Sequence, residues 1–164
     1  MKKYLQFIKE SFITSYGKKY NNIKEWAYDY AKEHHDGFNN YEDAIEELNY
    51  IFDEIDNLPE YVNLYRILQV NKKSDIDRKN LGRHFILDKK LFYDEGFLNS
   101  IGFSKGDIEG NNFYIITINI NKNDIDFENT IACRLDHPRE YEYTISNTNY
   151  KINKIEKFKV NEPI

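Results

Sequence analysis

The sequence predicts an α+β fold in which a helical first third precedes a run of strands. Three observations carry this. Apolar residues recur at helical spacing up to Ile55, Pro59 closes that pattern, and the segments beyond it are short apolar or alternating runs. Helices first and strands later, without regular alternation, argue against a doubly wound parallel sheet.

Taken in order, residues 3–16 read as a first helix of uneven periodicity, closed at Gly17. Ile23, Trp26, Ala27, Tyr30 and Ala31 define one face of a second. Gly37 is its expected stop, with His34 and His35 capping its negative end. Asn40 is the expected N-cap of a third helix, with Glu42 and Asp43 in its first turn. Its apolar stripe runs through Tyr41, Ala44, Ile45, Leu48, Phe52 and Ile55. Strands are expected over 64–70, 81–87 and 113–120, the last placing Tyr114, Ile116, Ile118 and Ile120 on one face. A short helix is expected over 88–100. Segments 140–145 and 150–158 read as a hairpin across Ser146-Asn147-Thr148-Asn149, all turn-favouring residues. The expected division is a docked helical region over 1–58 and a β-rich catalytic domain over 59–164.

Composition narrows the function. Twenty-three Lys and Arg against 28 Asp and Glu give a net charge of -5, which argues against nucleic acid as the main partner. Aromatic residues reach 16% of 164 residues, enough to build a packed core. A single cysteine, Cys133, allows no internal disulfide and points to a reducing, cytoplasmic setting. The first residues are interrupted by Lys9 and Glu10, which reads against a signal peptide, and no run is long enough for a membrane span.

Three features could carry chemistry. Arg66 sits in LYRILQV, where a permanently charged guanidinium needs an anion or an outlet to water. In Glu140-Tyr141-Glu142 a strand would put both carboxylates on one face about 7 Å apart, suited to a sugar carbon that turns cationic. An ordinary solvated charged face is the simpler reading of that pattern. His84, in LGRHFIL near Gly82, either lines a site or is structural. No histidines and acids fall at zinc-binding spacing, so no metal site is expected, and Cys133 reads as core.

The order of these features matters: Tyr65-Arg66, then Gly82-x-His84-Phe85, then Glu140-x-Glu142 and TISNTNYKINKIEKF. In this order, over 61–158, the chain resembles the ADP-ribosyltransferase superfamily, in its small bacterial and phage-type branch. Residues 125–131 resemble the lead-in to that family's glutamate strand. The resemblance implies a small split antiparallel sheet core and an enzyme that cleaves NAD and transfers ADP-ribose to a protein target, in particular an arginine. It implies a phage or toxin effector acting on host or defence machinery. Arg66, with Tyr65, would contact the NAD phosphate and ribose; Glu142 would stabilise the oxocarbenium; Glu140 would orient the acceptor. In place of the family's Ser-Thr-Ser triplet stand Arg83-His84-Phe85. His84 would then donate where a hydroxyl does, Phe85 would stack on nicotinamide, and Gly82 would open the motif. An NAD glycohydrolase, or a non-catalytic binding or inhibitor protein on the same fold, are the alternatives.

Overall fold

A computed structural model describes residues 11–104, 106–107 and 112–159. The architecture is α+β. A two-stranded hairpin, β1 (Phe12–Ile13) and β2 (Lys19–Tyr20), leads into α1 (Ile23–Glu33) and α2 (Tyr41–Asp56). Then follow β3 (Tyr61–Gln69), β4 (His84–Ile86), α3 (Glu95–Ser100), β5 (Phe113–Asn121), α4 (Phe127–Asp136), β6 (Glu142–Thr144) and β7 (Tyr150–Lys157). The last five strands form one antiparallel sheet in the order β6-β4-β3-β5-β7.

The expected first helix is not formed over its described part. Residues 11–16 enter the β1–β2 hairpin, and Gly17 turns it at φ +89° rather than ending a helix. The Thr14 hydroxyl accepts from Lys18 N–H and fixes the turn, a local bond that competes with helix formation. Residues 3–10 of that expectation lie outside the described residues. The next two helices form as expected from their caps: Asn22 accepts from Glu25 N–H, and Asn40 from Asp43 N–H. α1 stops at Glu33, before Gly37: His34 leaves the helical dihedrals at φ -129° and ψ 72°, and the His35 ring bonds the Ala31 carbonyl.

Alternation covers the central strands on both faces. Leu64, Ile116, Ile118 and Phe85 join α1, α2 and α4 in the larger core, with Trp26, Leu48, Ile131 and Tyr143. Ile67, Ile86, Phe113 and Ile115 face the other way, against Phe92, Phe97 and Leu98. That smaller cover is the segment expected as one helix over 88–100. Asp94 divides it: a 3-10 turn over Lys89–Tyr93 ends there, and the Asp94 side chain caps α3.

The expected hairpin between the last two strands is not formed either. β6 pairs with β4 and β7 with β5, at opposite edges of the sheet. The 146–149 loop turns against Asp124 instead, where Ser146 N–H meets its carbonyl and the Asn147 amide its carboxylate. Ile125 bridges Ile145, so the end of β5 curls round towards the β6 edge. The edge of β6 is covered by α4: Thr144 N–H donates to Thr130 Oγ1 at 2.9 Å. A free strand edge is thereby closed. Among the described residues no helix is long and apolar enough to cross a membrane.

Candidate functional site

The site lies where β4, β6 and the smaller cover meet. Register sets its geometry, because residues directly opposite in antiparallel strands share a face. Tyr65 pairs with Ile86, Ile86 with Glu142, and His84 with Thr144. Tyr65, His84, Glu142 and Thr144 therefore share one face. Of these, Tyr65, His84 and Glu142 border a cavity of about 220 Å³ whose far wall is Phe92, Phe97, Ile101 and Phe103. Glu140 also lines it.

The sequence expectation for Glu140 needs a correction of mechanism. β6 begins at Glu142, and Tyr141 takes φ 51°, so strand alternation does not relate the two glutamates. A left-handed residue costs about 1 kcal/mol for a side chain of this kind. The kink still leaves Glu140 on the same cavity, and the Tyr141 ring beside Phe97, 6.4 Å between centroids.

Glu142 is the electrostatic centre. Its Oε2 lies 3.2 Å from His84 Nδ1, which is also 3.3 Å from Thr144 Oγ1. Burial raises the Glu142 pKa above the usual carboxylate range; His84 and Arg66 oppose the rise and Glu140 adds to it. A carboxyl beside a second carboxyl and a histidine at a cavity is the kind of perturbed group that marks working sites.

Arg66 also lines this cavity, although its side chain leaves the opposite face of β3. It follows Tyr65 in a regular strand, so its side chain points to the helix-covered face, where its guanidinium lies 6.0 Å from the Phe85 ring. Its NH1 donates to the His84 carbonyl at 2.7 Å, and its Nε is buried without a partner. Burial lowers its pKa and Glu142 counteracts this, so the two charges interact although their side chains leave opposite faces. Gly82, at φ +83°, makes this packing possible: a Cβ there would come within 3.0 Å of Arg66 Cζ.

Phe85 is almost fully buried in the larger core. It touches the cavity from that side, and Phe92, Phe97 and Phe103, which sequence reasoning did not single out, form the facing aromatic wall. Phe92 and Phe97 fall in the segment read as a plain helix over 88–100 and Phe103 just beyond it, and their spacing carried no signal. Arg83 turns away, donating to the Ile145 carbonyl and to Asp126, and so ties the entry of β4 to the start of α4.

Cys133 was also missed. It is half-buried rather than core, and its sulfur, a His84 ring nitrogen and a Glu142 oxygen lie within 4.8 Å of one another. Burial raises its thiol pKa, and the Glu142 charge adds to the rise. Compared with known protein families, curated proteins and solved structures, the chain matches none.

Proposed function

We propose that the protein is a mono-ADP-ribosyltransferase that cleaves NAD and transfers ADP-ribose to a protein, with arginine as the favoured acceptor. The observation that carries this reading is Glu142: a half-buried carboxylate, held by His84, at an aromatic-walled cavity it shares with Glu140. The cavity is smaller than the roughly 300–1,000 Å³ of pockets that enclose a drug-sized ligand, and suits one ring of a larger molecule, with the rest outside.

In this reading nicotinamide enters against Phe92, Phe97 and Phe103. The bond from its ring nitrogen to the ribose carbon breaks, and the electron pair leaves with neutral nicotinamide. Positive charge develops on the sugar, and the Glu142 carboxylate stabilises it as a fixed negative charge in a partly dry site. The acceptor nitrogen then attacks that carbon, and Glu140 takes its proton. Arg66 holds the β3–β4 junction through the His84 carbonyl and has guanidinium N–H groups left for a pyrophosphate oxygen.

Incubating the protein with NAD and arginine-rich acceptor proteins tests this. The expected result is nicotinamide release matched by an ADP-ribose mass gain on the acceptor. Nicotinamide release with free ADP-ribose alone would make the protein an NAD glycohydrolase. No NAD binding in the millimolar range would favour a non-catalytic binding protein.

A further inference from the structure

The cluster of His84, Cys133 and Glu142 joins β4 to two later, consecutive elements, α4 and β6. His84 lies on β4, Glu142 opens β6 on the same face, and Cys133 lies on α4. The bond from Thr144 N–H to Thr130 Oγ1 seats α4 along β6. Cys133, three residues after Thr130 and so nearly one turn on, is thereby brought to the same end of the site.

The donor set and its spacing suit a metal ion. Zinc bonds to nitrogen and oxygen at about 2.0–2.2 Å, so two such ligands on a tetrahedral ion lie about 3.3 Å apart. His84 Nδ1 and Glu142 Oε2 are already 3.2 Å apart. The sulfur lies within 4.8 Å of both partners and needs only a small side-chain movement to close on the ion. A thiolate with an imidazole selects a borderline-soft cation over magnesium or calcium. Three protein ligands leave a fourth position, and here the aromatic-walled cavity that Glu140 also lines provides it.

We propose that His84, Cys133 and Glu142 form a three-ligand site for a zinc-class divalent cation. Binding displaces the thiol proton to solvent and engages the Glu142 carboxylate. A consequence that rests on the NAD reading is that the ion and the transferase reaction exclude one another, so the cation is an inhibitor.

Cobalt(II) added to the reduced, full-length protein tests the site without any reference to NAD. The expected result is one equivalent bound, with a thiolate-to-cobalt charge-transfer band in the near ultraviolet that zinc abolishes. Cys133→Ser should remove the band, and His84→Gln, which leaves α4 untouched, should weaken zinc binding by more than ~100-fold in competition with a chromogenic chelator. No charge-transfer band at saturating cobalt, or equal zinc affinity in the wild type and both variants, would overturn the proposal. With the site established, zinc should stop nicotinamide release by the wild type. Release that continues at full zinc occupancy would overturn the inhibitory role and leave the site itself standing.

Discussion

Two arginines meet the larger core, Arg134 inside it and Arg66 at its border, and they are treated in opposite ways. Arg134, on α4, is 2% exposed and is met by Glu54 at 2.7 Å and Glu47 at 3.9 Å. The Tyr143 hydroxyl donates to the same Glu54, and the Arg134 guanidinium lies 5.5 Å from the Tyr143 ring. These carboxylates raise the Arg134 pKa in spite of burial, the reverse of Arg66. Both arginines keep a buried Nε without a partner, so the difference lies in the carboxylates. Arg134 is a closed structural pair. Arg66 has a backbone carbonyl and forms no ion pair among the described residues. A half-buried cation left open in this way is what an anionic ligand needs, and a cation fully paired inside the protein is not available to one.

The largest test of this contrast is Arg134→Met, which leaves Glu54 and Glu47 uncompensated. Denaturant unfolding should show a loss of about 3–5 kcal/mol. Adding Glu54→Gln should return at least ~1 kcal/mol of it, because the two positions share one interaction. Arg66→Met should stay within ~1 kcal/mol of the wild type while losing NAD affinity by calorimetric titration. If both arginine variants unfold the protein equally, the contrast is broken.

Gly82→Ala should cost about 1–2 kcal/mol from its positive φ alone, and the added Cβ would push on the Arg66 guanidinium. NAD affinity should fall with it, whereas an alanine at Gly102, also at positive φ but with open space around it, should cost stability only.

The smallest effect concerns Glu142. Its folded pKa is raised, so the native state binds its proton more tightly than the unfolded chain. Stability from this group is fully present below the unfolded carboxylate pKa and is lost as pH rises through the folded one. Glu142→Gln should therefore melt up to ~3 °C higher than the wild type at neutral pH, with the gap closing in acid.

Much of the helical layer was legible because its signals are local. Asn40 and the stripe from Ala44 to Ile55 mark α2, and Ile116, Ile118 and Ile120 mark the inner face of β5. Arg66 stood out as a charge in an apolar strand. Pairing across the sheet was not legible. The 146–149 turn residues are compatible with a hairpin, but Ile145 meets Ile125 and β6 meets β4, contacts set by the whole fold. The kink at Tyr141 hides in a sequence with strand alternation. Cys133 joins the site only because α4 lies along β6, which no spacing within one segment encodes.

The central claim is that the Glu142 carboxylate carries NAD cleavage. The direct measurement is the rate of nicotinamide release as a function of pH, in the wild type and in Glu142→Gln. The wild-type rate should rise through a pKa above the ordinary carboxylate range, and the folded variant should be slower by ~10²–10³ at neutral pH. A folded Glu142→Gln variant that releases nicotinamide at the wild-type rate would contradict the account.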